Sequence, residues 1–222
     1  MKYDELDDRA KARARDQWRE GNQPDDWWDC IYEDVIIIGA LMGIEIGTRV
    51  VKTVKGKAYD VPDISFSGFC SQGDGASFGG YLDVGEMKTA CEQVGTHVGN
   101  LGPGHALFPI CRAAEEVFAM IAAHSVANRL EGLALEDTHY PECEPTMSIN
   151  IKGYDHRGHS TRVDGYELPH EIEMKANGLV SDFADYIYAQ LEAEDEYLNS
   201  DEYVVESIEA NEPNFDESGN IE

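Results

Sequence analysis

Seventeen carboxylates and a single basic side chain, Lys175, fall between Glu167 and Glu222. With one base against seventeen acids, this quarter of the chain supplies −16 of a total formal charge of −27. Yet Leu179, Phe183, Ile187, Leu191 and Leu198 run through it at helical spacing. An acid-rich segment without such residues cannot bury enough apolar surface to fold. With them, it can lay one face on a core and turn its carboxylates outward. The pattern predicts a helix over about 171–198, with a bend near Gly178. A second follows over 201–210, capped by Ser200 and stopped before Pro213, and residues 213–222 are expected to fray.

The composition of the whole chain suits a globular fold: 42% of residues are hydrophobic and 27% charged. The longest apolar run, Val35 to Ile44, is about half the roughly twenty residues a membrane span needs. The N-terminus is a charged helix rather than a basic patch followed by an apolar stretch, so a cytoplasmic protein is expected. Five cysteines, scattered and without a CxxC, point to reduced thiols. Strong negative charge argues against nucleic acid, membrane surfaces or acidic substrates as direct partners and favours a basic one. The charge is also clustered: residues 1–20 hold six acids and six bases, which speaks against a chain-wide halophilic origin.

The order of elements points to an α+β fold. Residues 4–20 read as a helix with Asp4 as N-cap and a thin stripe of Leu6, Ala10, Ala14 and Trp18. Pro24 to about Gly43 reads as the most buried helix, with at least one of Trp27 and Trp28 in the core; Gly39 and Gly43 allow another backbone to approach. Thr48–Val54, Ile64–Cys70 and Ala76–Leu82 read as strands, the last two forming a hairpin through Gln72-Gly73-Asp74-Gly75. A helix from Asp83 to Val98, another over Ala106–Ser125, and strands over Val126–Leu135 and Thr146–Lys152 follow. The expected whole is one domain over 1–212 with a frayed tail. Its antiparallel sheet has about four to five strands with helices packed on one face.

The stretch from Ile64 to Gly80, ISFSGFCSQGDGASFGG, resembles a hallmark of a family of phage- and plasmid-encoded small acidic proteins. The segment Leu179–Asn211 and the N-terminal YDELDDRAKARARDQWREG and DWWDCIYEDV are similar to that family as well. Together they cover about half the chain, and Val94 to Gly165 departs most from the pattern. The resemblance implies a mobile-element context and the label of an antitoxin in a toxin–antitoxin stability system. It implies no catalytic residues.

Chemistry finds little purchase in the remaining motifs. The Gln72–Gly75 turn leads into a strand, not a helix N-terminus, and its spacing matches no phosphate loop; Asp74 would repel phosphate. Gln72 and Asp74 are nonetheless the residues of that turn to test for function. His156 with His159, and His139 with Cys143, lack the further ligands that zinc requires. Cys70, on an apolar strand, reads as an inert thiol; no nucleophile elbow is present, and nothing selects a pairing with His124. No metal and no cofactor is expected. The leading expectation is a non-enzymatic inhibitor that binds a basic, nucleic-acid-handling host or defence protein by nucleic-acid mimicry. Its charge would come from Asp182, Asp185, Glu192, Asp195, Glu196, Asp201, Glu202, Glu206 and Glu209. An antitoxin acting through shape and apolar contact is the alternative, and an enzyme using the Gln72/Asp74 turn or a histidine metal site the third. A homo-oligomer is left open.

Overall fold

The computed structural model describes residues 1–83, 102–123, 132–137, 147–151, 153–154, 160–161 and 169–222. Among them lie helices α1 (Asp8–Gly21), α2 (Asp29–Ala40), α3 (Leu107–Ala123), α4 (His170–Leu198) and α5 (Asp201–Asn211). The strands are β1 (Ile44–Ile46), β2 (Thr48–Lys52), β3 (Ala58–Pro62), β4 (Ile64–Phe66), β5 (Ala76–Phe78), β6 (Gly80–Asp83), β7 (Gly132–Asp137), β8 (Met147–Ile151), β9 (Gly153–Tyr154) and β10 (Ser160–Thr161). The class is α+β. Asp83 ends a strand, and the expected helix after it lies outside the described residues. So do His124, His139, Cys143, His156 and His159.

The expectation of one sheet of four to five strands is too coarse. The strands divide into a four-stranded antiparallel sheet, in the order β1-β6-β7-β8, and three two-stranded ribbons, β2-β3, β4-β5 and β9-β10. The chain divides into two compact units. One comprises Met1–Cys30 with Gln190–Glu222, the other Ile31–Ala189.

The terminal unit is built from the two ends of the chain. Asp7, not Asp4, caps α1, accepting a hydrogen bond from the Ala10 amide at 2.8 Å; residues 3–5 form a short 3-10 turn before it. The thin stripe is core after all: Leu6, Ala10, Ala14 and Trp18 are buried with Tyr3, Val204, Ile208 and Phe215. Two alanines on the stripe allow α5 to come close, and the Trp18 Nε1 donates to Ser207 Oγ at 3.1 Å. Residues 213–222 do not fray. Phe215 is buried against Tyr3, its amide donates to the Met1 carbonyl at 2.9 Å, and the Met1 amine donates to the Phe215 carbonyl at 2.6 Å. Gly219 (φ +87°) turns so close to α1 that a Cβ there would meet the Ala10 carbonyl at 2.1 Å. Ile221 then donates to Gln17 Oε1 at 2.9 Å. An aromatic anchor outweighs the acidic composition of this tail.

In the second unit the buried face of α4 carries Ile172, Ala176, Leu179, Val180, Phe183, Ala184 and Ile187, and the helix runs unbroken through Gly178. This helix buries more side chains than α2, the expected most buried one. On α2, Val35 and Gly39 are buried while Ile37 and Leu41 beyond its end are exposed. Gly39 serves close packing as its spacing predicts: a Cβ there would meet the Ile44 carbonyl at 2.8 Å and the Phe183 ring at 3.2 Å. Phe183 also meets Phe78 of β5 edge-on, with centroids 5.6 Å apart.

Three strand pairs of this unit radiate from one junction. Gly47 links β1 to β2, Asp63 links β3 to β4, and Gly79 links β5 to β6. Their backbones close a ring: the Gly47 amide donates to the Gly79 carbonyl, Gly79 to Asp63 and Asp63 to Gly47, each at 2.8 Å. The pairs β1-β6, β2-β3 and β4-β5 leave this ring in turn. Side chains are excluded at its centre, since a Cβ on Gly80 would lie 2.0 Å from the Glu45 carbonyl oxygen. That steric demand explains why the apolar run from Phe78 to Leu82 is interrupted by two glycines.

Candidate partner-binding surface

The acids chosen from sequence divide between the units. In the terminal unit, α5 begins at Ser200, whose side chain accepts from the Tyr203 amide at 3.2 Å. Acids in the first turn also complement the positive end of the helix. Val204 and Ile208 face the core, so Glu202, Glu206 and Glu209, at spacings of four and three, share the opposite exposed face. Such neighbours lie about 5–6 Å apart. Glu196 is exposed and Glu192 half-buried.

Two of the nine acids have internal work. Asp201 lies between Arg19, which donates to its Oδ1, and Arg15, whose Nε is 3.2 Å away. The hydrogen bond from Arg19, with the charge of both guanidiniums, holds its carboxyl below the usual range. Arg19 also donates through Nε to the Asn199 carbonyl at 2.9 Å, fixing the turn between α4 and α5. Asp195 accepts from Asn199 Nδ2 at 3.2 Å and Gln23 Nε2 at 3.3 Å. These two carboxylates hold the unit together, and the exposed charge rests chiefly with Glu196, Glu202, Glu206 and Glu209.

In the second unit, Asp182 and Asp185 are exposed on α4, opposite the stripe of Leu179, Phe183 and Ile187. Partial burial and then repulsion from Asp185 push the Asp182 carboxyl above its ordinary value. A carboxylate kept ionised there is held against a cost, which a cation brought by a partner would relieve.

The Gln72–Gly75 turn resolves into an internal role for Asp74. Its Oδ2 accepts from the amides of Cys70 (2.9 Å) and Ser71 (2.6 Å), and Gly73 supplies a left-handed φ of +98°. Ser67 and Gly75 close the loop across its base. Phe69 packs on Tyr188 with centroids 5.4 Å apart, and Tyr188 donates to the Gly68 carbonyl at 2.9 Å. Gln72 is exposed at the tip. Cys70 is exposed rather than buried because β4 ends at Phe66, four residues earlier than the expected strand. Trp27 and Trp28 meet edge-to-face at 5.7 Å, both half-buried, so neither is a core residue. Among the described residues no cluster of three or more potential metal ligands occurs, and no helix is long and apolar enough to cross a membrane.

One feature of the second unit escaped the sequence reading: the β2-β3 ribbon is largely exposed and carries Lys52, Lys55 and Lys57 around its turn. The signal was the run KTVKGK, four cations from Arg49 to Lys57 in an otherwise acidic chain.

Residues 27–201 match a family model described as a domain of unknown function, DUF8835. The chain belongs to the DUF8835 family. No curated protein and no solved structure matches it. The DUF8835 match takes in the whole second unit, with the glycine junction, the Asp74 loop, Asp182 and Asp185. It ends at Asp201, so Glu202, Glu206 and Glu209 fall beyond the matched range.

Proposed function

We propose that this DUF8835 protein is a non-enzymatic binding protein of a mobile element. It inhibits a basic, nucleic-acid-handling host or defence protein by presenting carboxylates where that partner expects phosphates. The observation that carries this reading is the exposed face of α5. Glu202, Glu206 and Glu209 stand on a helix whose other face is buried, and the clasp of Met1, Phe215 and Ile221 closes the same unit. Duplex DNA presents one charge per ~1.7 Å of axis with both strands counted, or ~3.4 Å along one strand, and carboxylates about 5–6 Å apart on a helix offer a sparser row of the same sign to a basic groove. A backbone already held as a helix needs no ordering on binding, which lowers one of the costs of association.

Affinity capture from host lysate tests the reading, with wild-type chain and the E202K/E206K/E209K variant as baits. The expected result is capture of basic nucleic-acid-binding proteins by the wild type alone, with loss at raised ionic strength, since charge-driven contacts weaken with salt. Equal capture by both baits would sink the proposal.

Ile37 and Leu41, exposed at 61% and 53%, favour a second reading, in which an antitoxin neutralises its toxin through apolar contact. A complex indifferent to salt but lost in I37D/L41D would select it.

A further inference from the structure

From Thr48 to Pro62 the chain holds four cations and one carboxylate, a local charge of +3, so the remainder of the molecule stands at −30. This is the β2-β3 ribbon, paired in register from Thr48↔Pro62 to Lys52↔Ala58 and closed by a turn at Thr53–Lys57, with Gly56 at φ +78°. Arg49 is tied at the base, donating to Ser65 Oγ at 3.0 Å and the Ile64 carbonyl at 3.2 Å. Lys52, Lys55 and Lys57 are exposed about the tip. Between them Val54 is fully exposed and Val50 is 65% exposed.

A two-stranded ribbon without a covering layer is at best marginally stable in water, and exposed valines add to its cost. The combination of lysines with valines has a definite chemistry. Lysines alone would suit phosphates, but apolar side chains gain nothing from a phosphate backbone; they gain from another protein surface that is acidic and partly apolar. We infer that the ribbon tip of one copy docks on the acidic helices of a second copy, with Lys52, Lys55 and Lys57 meeting Glu202, Glu206 and Glu209. Charge complementarity carries this assignment, because an exposed cationic ribbon tip and an exposed acidic helix face occur on one chain and are therefore always present in equal amounts. Whole-molecule repulsion between two −27 chains opposes the contact at low salt, where fields reach far. At about 0.15 M ionic strength the screening length is only about 8 Å, so local pairs outweigh distant like charges. This inference stands whether or not a basic host partner exists.

Sedimentation velocity over a concentration series at near-physiological salt reads the association directly. The wild type is expected to sediment faster as concentration rises, whereas K52E/K55E/K57E and E202K/E206K/E209K each stay at the monomer value. Mixing the two variants restores association, because an intact acidic helix then meets an intact ribbon; circular dichroism matching wild type excludes misfolding as the cause of the single-variant losses. A wild type that stays monomeric throughout, or a ribbon variant that associates unchanged, overturns the inference. So does duplex DNA retarded by the wild type and not by the ribbon variant, which would give the ribbon a nucleic-acid partner instead.

Discussion

The terminal unit and the central unit solve the same problem, the stabilisation of a highly acidic chain, by opposite means. The terminal unit closes over long sequence distances: Met1 bonds to Phe215, Lys2 Nζ donates to the Glu212 carbonyl, and Arg15 and Arg19 reach Asp201. Three of its bases, Lys2, Arg15 and Arg19, serve as ties, and most of its acids are left outside. The second unit closes locally, through a ring of three backbone hydrogen bonds at Gly47, Asp63 and Gly79 and an edge-to-face aromatic core around Phe78 and Phe183. Charge is therefore structural in one unit and largely incidental in the other. A surface meant to stay ionised is best carried where the few bases are already committed.

The largest expected break in this contrast is Phe215→Ala. Removing a fully buried aromatic side chain costs about 3–5 kcal/mol. Amide exchange should accelerate in α1 and α5 while the β4-β5 ribbon keeps its protection. Next, Gly80→Ala forces a methyl group toward the Glu45 carbonyl and should destabilise the central unit by about 1–3 kcal/mol, in the range of overpacking substitutions. Denaturant melts followed by exchange should then show the reverse pattern, with β1-β6 affected and α1 spared. Smaller still, Ser200→Ala removes the cap of α5 and should cost about 1 kcal/mol, visible as a lowered thermal midpoint.

Acidification separates the units by sign. Asp201, hydrogen-bonded to Arg19, and Asp216, which accepts from Asn220 and Ser218, have carboxyls held below the ordinary range. Their stabilisation is present above the unfolded value of about 3.9 and is lost as pH falls through the lowered folded values. Asp182 is raised by burial and by Asp185, so its ionised form disfavours the fold and protonation relieves it. Asp182→Asn should leave stability unchanged or slightly raised at neutral pH, with equilibrium unfolding as the readout. A clear loss would show that Asp182 has a favourable partner.

What could be read from sequence followed periodicity. The stripe from Leu179 to Leu191, the Ser200 cap and a hairpin through Gln72–Gly75 were legible because helices and strands write their burial at fixed intervals. The expected strand Ala76–Leu82, however, splits at Gly79, and its second half pairs with β1 rather than β4. The glycine junction was not legible, because it is made by three residues from separate strand ends whose meeting no local pattern encodes. The clasp escaped for a related reason: an acidic tail with one Phe215 has the composition of disorder, and only the groove between α1 and α5 makes it fold. Among the acids, exposure of Glu202, Glu206 and Glu209 followed from helix phase. The committed role of Asp201 did not, since Arg15 and Arg19 are nearly two hundred residues away.

The most direct test of the acidic face is competition. A host protein captured through α5 should be released when duplex DNA is added at fixed ionic strength, because the carboxylates and the phosphates claim the same basic groove. A captured complex that persists undiminished in excess DNA, or a ternary complex holding both, would contradict the account.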